Sequence, residues 1–406
     1  MLRNFGRPCA RPPLPRRGPD MPPRFDPRFP TIPHADWDRA PWNRYTFQHV
    51  REQVPTALVR RSPAPHAWRL APQDIGEVGF EIDGRRMSVA DFLDSSYTDG
   101  FCVVHRGALI AEHYDNGMNA QRIHLVQSVS KSVTATVLGI LVSRGEIRLD
   151  ALVTHYLPEL EATAYRGATV QQLLDMTSGV LWDEDYTALD SHCAQMDIAA
   201  GWKSGGDPLW PACMWDLVLT LKEMRGPHGR DFSYRSIETD VLGFVLERIS
   251  GTRLPEFVSR ELWAPMGAAD DGCFTVDPSG FACANGGFNA TLRDLARFGL
   301  LYVSGGEAQG RQLVPEQWIN HTCLGNPELF MGAYREVLPR GAYRNQFWLE
   351  EAGRRMLLAR GVFGQLIYMD PDAEFVAVKL STWPEFINPT RTRTALAAIR
   401  AIRDAL

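Results

Sequence analysis

Two periodicities of apolar residues divide the chain into strands and helices. Residues 101–107 and 108–114 are apolar runs that meet at an Arg-Gly turn, and they predict two adjacent strands. Residues 124–145 are apolar at most positions and end at Gly145, a residue type favoured just after the last turn of a helix. This stretch predicts a buried helix that directly follows the two strands.

The middle of the sequence, about residues 150–280, has mainly helical and loop patterns. Residues 147–157 and 170–176 predict short helices, and residues 238–249 predict a longer one. Between them, residues 182–215 predict a loop that is rich in Trp and Asp.

Strand patterns return towards the end of the chain. An amphipathic helix is predicted at residues 292–303 and a final helix at residues 390–406. Between these helices, residues 361–369 and 374–380 predict a hairpin closed by an Asp-Pro-Asp turn.

The order of the elements, strands then helices then strands then a helix, predicts the α/β (α+β) fold class. An antiparallel sheet built from both chain ends and flanked by helices, with a mostly helical domain inserted, satisfies this order. We assign residues 37–150 and 281–406 to the α/β domain and residues 151–280 to the helical domain. Residues 1–36 predict a disordered Arg/Pro-rich leader without the apolar run of a secretory signal, and Met21 is an alternative start of translation.

The composition of the chain excludes several classes of protein. With 406 residues, 45% of them hydrophobic and 22% charged, the composition is that of a globular protein with a large core. A formal net charge of -5 predicts no nucleic-acid partner and no attraction to an anionic membrane. The seven cysteines are scattered without a C-x-x-C pair, which predicts reduced buried thiols, a cytoplasmic location and no metal site.

One short motif at the start of the predicted buried helix suggests chemistry. Ser128 and Lys131 are three residues apart, so the hydroxyl and the amine would lie about one turn apart on the same helix face. Burial and the positive end of the helix dipole both disfavour an ammonium, so Lys131 could be neutral and accept the serine proton. Ser128 would then be a nucleophile, and its backbone N–H could point at a developing oxyanion.

The lysine itself is informative, because arginine is the usual cation of this chain. The lysines are Lys131, Lys203, Lys222 and Lys379, and all other basic residues are arginine. Lysine loses its proton when it is desolvated, whereas arginine does not. The alternative interpretation is that S-x-x-K occurs by chance and that the lysine is a solvated charge.

Two further segments of the chain could contribute to the same site as Ser128 and Lys131. Tyr234 lies in a Phe-Ser-Tyr-Arg-Ser segment directly before the helix predicted at 238–249, on a loop able to face a site. The Gly-Val-Phe-Gly segment 361–364 opens a predicted edge strand. With these segments in this order, the sequence resembles the serine β-lactamase and penicillin-recognising enzyme superfamily, in its class C and esterase-like branch.

The resemblance is strongest to the nylon-oligomer hydrolases within that branch, and it extends over about residues 37–400. The segments that carry it are residues 41–47, 127–132, 239–242, 284–287, 293–297 and 380–384. It implies a β-lactamase/transpeptidase-like fold and a serine hydrolase that forms an acyl-enzyme.

The resemblance also implies roles for individual residues. Ser128 would be the acylated serine, Lys131 the partner that shares its proton, and Tyr234 the acid or base that serves the leaving group. The backbone N–H groups of Ser128 and Val362 would form the oxyanion hole. In the nylon-oligomer hydrolases, the positions matching three residues serve an amide substrate: a tyrosine that closes over it, a carboxylate that favours its amine, and an assisting residue, here Tyr186, Asp197 and Asn285.

Departures from the family pattern bear on the substrate. Where penicillin-recognising enzymes carry Lys-Thr-Gly or His-Thr-Gly, this chain has Val362-Phe363-Gly364, which makes β-lactam hydrolysis doubtful. We therefore favour hydrolysis of carboxylic esters and small linear amides, with an acidic loop that contains Asp183, Glu184 and Asp185 near the substrate. The alternatives are a β-lactamase or D-alanyl-D-alanine carboxypeptidase, and a non-catalytic scaffold. The expected partner is a small-molecule ester or amide, bound by a monomer or homodimer without metal or cofactor.

Overall fold

The computed structural model describes residues 32–406. Most of the predicted leader, residues 1–31, lies outside the described residues. In the described part, no helix combines the length and the apolar character needed to cross a lipid bilayer.

The strands and helices are numbered along the chain. The strands are β1 Thr56–Val59, β2 Arg69–Leu70, β3 Gly79–Ile82, β4 Arg85–Ser88, β5 Thr98–His105, β6 Ala108–Tyr114, β7 Ile123–Leu125, β8 Gly272–Thr275, β9 Phe288–Thr291, β10 Glu307–Ala308, β11 Arg311–Gln312, β12 Ala342–Arg344, β13 Phe347–Leu349, β14 Leu357–Gly361, β15 Gln365–Asp370 and β16 Phe375–Ser381. The helices are α1 Asn43–Thr46, α2 Val89–Ser95, α3 Val129–Ser143, α4 Val153–Tyr156, α5 Val170–Leu174, α6 His192–Ala199, α7 Met214–Thr220, α8 Ile237–Ser250, α9 Leu254–Val258, α10 Leu292–Val303, α11 Glu316–Thr322, α12 Tyr334–Val337 and α13 Pro389–Asp404.

The main sheet has the strand order β12-β13-β14-β15-β16-β5-β6-β2. Its neighbouring strands are antiparallel except for the short β2, which pairs parallel to β6. At its centre, β16 from the end of the chain pairs with β5 from the first third. The prediction of an antiparallel sheet built from both chain ends is therefore confirmed.

Both faces of this sheet are buried, which explains the uninterrupted apolar runs of its central strands. Alternate residues of β5 contribute to two different cores: Cys102 and Val104 to one, Phe101 and Val103 to the other. Apolar residues of α10 lie in the first core and those of α13 in the second. The sheet is thus a layer between helices, as the predicted fold class requires.

A second sheet, with the order β1-β8-β9-β7, leads directly into α3. The predicted buried helix 124–145 is correct in its core but wrong at its start, because residues 123–125 form β7, which pairs with β9. A fully buried strand and a fully buried helix share the same continuous apolar pattern, so periodicity alone does not separate them. Every residue of α3 from Val129 to Leu141 is buried.

The central third of the chain is mainly helical and contains α4 to α9. The predicted loop 182–215 is partly wrong, because it includes the whole of α6, which begins at the capping residue Ser191. Strand β8 also falls within residues 151–280 and pairs with β1 from the N-terminal part of the chain. The division into domains at residues 150 and 280 stays a prediction.

The last predicted hairpin needs a correction. Residues 361–369 were expected to form one edge strand, but β14 ends at Gly361 and β15 begins at Gln365. Residues 362–364 form a tight turn in which Phe363 has φ +60°. Both strands lie inside the main sheet rather than at its edge. The turn places Val362 at the end of a strand, where its backbone N–H is free of the sheet ladder.

Six of the seven cysteines lie in the described residues, and all six are buried and free of disulfides: Cys102, Cys193, Cys213, Cys273, Cys283 and Cys323. Cys9 lies outside them. The described thiols agree with the predicted reduced state.

Candidate active site

Ser128 is presented by a tight turn between β7 and α3. The preceding residue, Gln127, has φ +50°, a left-handed conformation that non-glycine residues seldom adopt and that is often found at functional sites. Ser128 occupies the N-cap position of α3 but its side chain does not cap the helix. Its hydroxyl is therefore available for other contacts.

Two neighbouring serines in the same segment are occupied elsewhere. The Ser130 hydroxyl donates to the carbonyl of Gln127 and accepts from the N–H of Phe288. The Ser132 hydroxyl donates to the carbonyl of Gln346. Of these three serines, only Ser128 lines a cavity, which makes it the candidate nucleophile.

Lys131 lies behind Ser128 and is 1% exposed. Its Nζ is 2.9 Å from the Ser128 Oγ and 2.7 Å from the backbone carbonyl oxygen of Asn285. Burial lowers the pKa of Lys131 from 10.5 to about 8, although the charges of Glu184 and Asp240 work in the opposite direction. About one-tenth of the molecules would then carry a neutral amine at pH 7.

Asp240 is a buried carboxyl that the sequence analysis did not identify as part of the site. Its Oδ2 accepts a 2.7 Å hydrogen bond from the Asn285 side chain, and its Oδ1 accepts one of 3.3 Å from the Asn285 backbone N–H. Asp240 thereby fixes the loop whose carbonyl holds Lys131. Burial raises the pKa of Asp240, whereas the hydrogen bond from Asn285 and the charge of Lys131 oppose the increase.

Tyr234 reaches the same serine from the other side. Its hydroxyl interacts with the Ser128 side chain, and this interaction acts to lower the pKa of Tyr234. Its ring stacks on Trp348 at 5.4 Å between centroids, and the Lys131 Nζ lies 5.1 Å from the ring centroid of Tyr234. Burial raises the pKa of Tyr234, so that the phenol stays protonated at neutral pH and is suited to donate a proton.

The predicted oxyanion hole lies where β14 meets the start of α3. A Cβ added to Gly361 would lie 2.7 Å from the carbonyl oxygen of Val126 and 3.0 Å from the backbone nitrogen of Ser128. Glycine is required here because the strand must approach the nucleophile this closely. Within the described residues, the N–H groups of Ser128 and Val362 have no hydrogen-bond acceptor. Both are free to bind a substrate oxygen.

These groups open into a cavity of about 290 Å³. It is lined mainly by apolar and aromatic side chains together with a few polar ones: Ser128, Glu184, Tyr186, Tyr234, Ala333, Tyr334, Glu336, Val337, Trp348, Arg360, Gly361, Val362, Trp383, Phe386, Ile387, Pro389 and Thr392. A small apolar substrate with few polar groups suits such a lining.

Of the three neighbouring acidic residues expected near the substrate, only Glu184 lines the cavity. It accepts hydrogen bonds from Trp182, from the hydroxyl and the backbone N–H of Ser236, and, at 2.6 Å, from the Tyr186 hydroxyl. Asp183 and Asp185 are exposed and form turns within their own loop. Glu184 is therefore the one of these three residues that the cavity exposes to a ligand, and its role towards a substrate stays a prediction.

The three residues assigned to an amide substrate are placed differently. Tyr186 lines the cavity and stacks on Phe386 at 5.4 Å between centroids. Asp197 is not part of the lining, and its carboxylate lies 2.6 Å from the Lys203 Nζ. Asn285 is also outside the lining and supports Lys131 instead. The roles of Tyr186, Asp197 and Asn285 towards a substrate stay predictions.

Arg360 is a second site residue that the sequence analysis missed, since that analysis found no cation on this strand. It precedes Gly361 at the end of β14, lines the cavity and lies 4.9 Å from the Trp348 ring centroid. An arginine directly before the predicted oxyanion-hole segment was the only available signal.

No group of His, Cys, Asp or Glu side chains in residues 32–406 is placed to hold a metal ion. The absence of a cofactor stays a prediction.

The pH dependence of the reaction should report the pKa of Lys131. We expect kcat/KM for a neutral ester to rise about tenfold per pH unit below pH 8 and to level off above it, because the amine must be neutral to accept the serine proton. The Asp240→Asn variant should shift this rise to lower pH, since it removes a negative charge that stabilises the ammonium. The measurement is kcat/KM from pH 6 to pH 10 for both proteins. A flat profile for the wild type would contradict the proton-accepting role of Lys131.

Three comparisons relate the chain to known proteins. The family model described as Beta-lactamase matches residues 89–401. The chain is 37% identical to the 6-aminohexanoate-dimer hydrolase of Paenarthrobacter ureafaciens over 86% of this chain and 88% of that protein. It is 31% identical to the esterase EstB of Burkholderia gladioli over 41% of this chain and 42% of the esterase. A solved structure from Bacillus anthracis, proposed to be a 6-aminohexanoate-dimer hydrolase, superposes with a TM-score of 0.85 at 27% identity, covering 94% of this chain and 99% of that one.

Proposed function

Since the chain belongs to the Beta-lactamase family and is a serine hydrolase, we propose that it cleaves short carboxylic esters and small linear amides through an acyl-enzyme on Ser128. One observation carries this proposal: the Ser128 hydroxyl, in the lining of a cavity, accepts a hydrogen bond from Lys131 and interacts with the Tyr234 hydroxyl. A nucleophile, a base with a lowered pKa and an acid with a raised pKa thus meet at one atom.

Each of these groups has its own role in the proposed reaction. The Ser128 Oγ attacks the carbonyl carbon of the substrate while the neutral Lys131 accepts the serine proton. The N–H groups of Ser128 and Val362 bind the resulting oxyanion. Tyr234 donates its proton to the leaving alcohol or amine as the bond to the carbonyl carbon breaks, and it regains a proton from Lys131. Water then attacks the acyl-enzyme, with the proton transfers reversed.

The lining of the cavity supports a substrate that is mainly apolar. The rings of Trp348 and Tyr334 lie 5.9 Å apart between centroids, and Phe386 and Ile387 also line the cavity. Tyr186 lines the same cavity, and we propose that it closes over a bound substrate. We extend the proposal to linear amides because the amide-hydrolysing relative covers most of the chain.

Two alternatives remain distinct from this proposal. A β-lactamase or D-alanyl-D-alanine carboxypeptidase would share the acyl-enzyme chemistry but act on another substrate class. A non-catalytic scaffold would have no use for a desolvated lysine at 2.9 Å from a cavity-lining serine hydroxyl.

Three substrates separate these functions. We expect purified protein to hydrolyse a short-chain p-nitrophenyl ester and the linear 6-aminohexanoate dimer, and to leave a chromogenic cephalosporin unchanged. Turnover is measured side by side with the Ser128→Ala variant, so that only serine-dependent hydrolysis is counted. Cephalosporin turnover as the main activity would favour the β-lactamase alternative, and no turnover of any of the three would favour the scaffold.

We also propose a cytoplasmic location and a monomeric or homodimeric state, without nucleic-acid or membrane partners. The free thiols of the described cysteines and the net charge of -5 support this proposal.

A further inference from the structure

Arg360 is a cation in the substrate cavity for which the described protein provides no anion. It is the only Lys or Arg among the residues that line the Ser128 cavity. In the described residues its guanidinium makes no hydrogen bond and no ion pair, and its contact is with the face of the Trp348 ring at 4.9 Å. Burial lowers the pKa of Arg360 to about 10, so it remains charged at neutral pH.

Other shielded arginines of this protein are paired. The Arg235 guanidinium donates to the carbonyl oxygens of Val180, Met176 and Ser233. Arg297 lies 2.8 Å from Asp294, and Arg344 lies 2.9 Å from Asp175. Leaving a partly desolvated charge without a counter-ion is costly, and such charges usually have a partner. Arg360 thus differs from these arginines in lacking an anion that the chain itself could supply.

The acidic groups of the cavity do not fill this role. Glu184 accepts hydrogen bonds from three side chains and one backbone N–H. Glu336 also lines the cavity but is exposed. In the described residues neither carboxylate forms an ion pair with Arg360, and neither contributes to the pKa of its guanidinium. A carboxylate that enters with the substrate would be the first anion to reach the guanidinium.

The position of Arg360 also indicates which half of the substrate bears that carboxylate. The Trp348 ring contacts both the Arg360 guanidinium and the Tyr234 ring. Tyr234 is the proton donor to the leaving group in the proposed reaction. Because Arg360 packs against the same ring as Tyr234, a carboxylate bound by its guanidinium would belong to the leaving half of the substrate.

We propose that Arg360 is a specificity residue that binds a carboxylate on the leaving half of the substrate, so that the preferred substrates are linear esters or amides whose leaving group is itself a carboxylic acid. This inference rests on the proposed function and narrows its substrate class. A guanidinium suits the role because it binds a carboxylate through two parallel hydrogen bonds. The Trp348 face holds its plane in a fixed orientation and reduces the freedom that binding must remove.

A matched pair of esters tests the proposal. 4-Acetoxybenzoate releases a phenol that carries a carboxylate, and 4-acetoxybenzamide releases a neutral phenol of the same shape. In the Arg360→Gln variant we expect the ratio of kcat/KM for the anionic over the neutral ester to fall about tenfold or more. The neutral ester should change by less than about threefold, and Arg360→Lys should recover part of the ratio because it keeps the charge.

The control variant replaces Arg354, an arginine that lies shortly before the start of β14. Arg354 is 63% exposed, lies 3.3 Å from Glu351 and does not line the cavity. Arg354→Gln should leave the ratio unchanged. A ratio that does not move in Arg360→Gln, or an equal loss on both esters, would overturn the proposal, and an equal loss would assign Arg360 a structural role against Trp348.

A binding measurement keeps this test independent of turnover. By isothermal titration calorimetry, 4-hydroxybenzoate should bind the wild type at least about tenfold more tightly than it binds Arg360→Gln, while 4-hydroxybenzamide should bind both alike. If the wild type hydrolysed neither ester, the proposed function would fail, but the titration would still show whether Arg360 binds a carboxylate. Equal affinity of the wild type and Arg360→Gln for 4-hydroxybenzoate would overturn the inference even if both esters were hydrolysed.

Discussion

Replacing Ser128 with alanine is expected to lower hydrolysis of both esters and linear amides by about 10,000-fold or more. The substitution removes the hydroxyl that accepts the hydrogen bond of Lys131 and interacts with Tyr234. Without the hydroxyl, no acyl-enzyme forms, and only the uncatalysed attack of water on a bound substrate remains. The measurement is kcat/KM for a p-nitrophenyl ester, together with intact-protein mass spectrometry after mixing with a slowly hydrolysed ester.

The wild type should show the added mass of one acyl group, and peptide mapping should place it on Ser128. Ser95 is an exposed serine whose hydroxyl donates to the backbone carbonyl of Asp91. It does not line the Ser128 cavity. Ser95→Ala should therefore retain full activity and serves as the control. Because Ser128 is only half-buried and does not cap α3, the thermal unfolding of Ser128→Ala should resemble that of the wild type. Full activity of a folded Ser128→Ala protein would exclude the proposed mechanism.

Replacing Lys131 with arginine is expected to lower kcat/KM by about 1,000-fold although the positive charge is kept. An arginine side chain does not lose its proton in a protein, so it cannot accept the proton of Ser128. A guanidinium is also larger than an ammonium, and Lys131 is only 1% exposed and contacts Ser128 and Asn285. The larger group would therefore have to displace these neighbours. The measurement is ester hydrolysis across pH, with circular dichroism to establish that the variant is folded.

A second substitution at Lys131 separates the loss of the proton-accepting amine from the effect of the larger arginine side chain. Lys131→Met keeps the length and apolar character of the stem and removes the amine, so it should be as inactive as Lys131→Arg and at least as stable. Lys222 is an exposed lysine, and Lys222→Arg is expected to have no effect. Substantial activity in Lys131→Arg would mean that another group accepts the proton, and the role of Lys131 would be wrong.

The sequence is most informative where contacts are local. The helix predicted at 292–303 has those bounds in the structure, and its amphipathic pattern reflects one face packed on the sheet. The Ser128 and Lys131 side chains are within hydrogen-bonding distance because three residues make almost one helical turn. Tyr234 could be assigned only through resemblance to a family, since nothing in its local pattern distinguishes a site tyrosine from a packing one.

The errors of the sequence analysis arose where two structures share one pattern. The apolar run 124–145 begins as β7, because pairing with β9 satisfies its backbone groups before the helix starts. The run 361–369 has the pattern of one strand, yet the turn at 362–364 divides it into β14 and β15. Phe363 at φ +60° is unfavourable for a non-glycine residue, so no propensity scale would place a turn there.

The sequence by itself determined the fold class and the pair of Ser128 and Lys131, because these depend on the order of elements and on spacing along the chain. It also indicated the family, through the resemblance of short segments to known enzymes. Only the tertiary structure decided which serine faces a cavity, that Asp240 and Asn285 hold Lys131, and that Arg360 lies unpaired beside Trp348. Asp240 and Asn285 both lie more than a hundred residues from Lys131, and they approach it only when α3, α8 and the loop before β9 pack together. Burial then gives these groups their chemistry, since it is desolvation in the packed core that lowers the pKa of Lys131 and raises that of Tyr234.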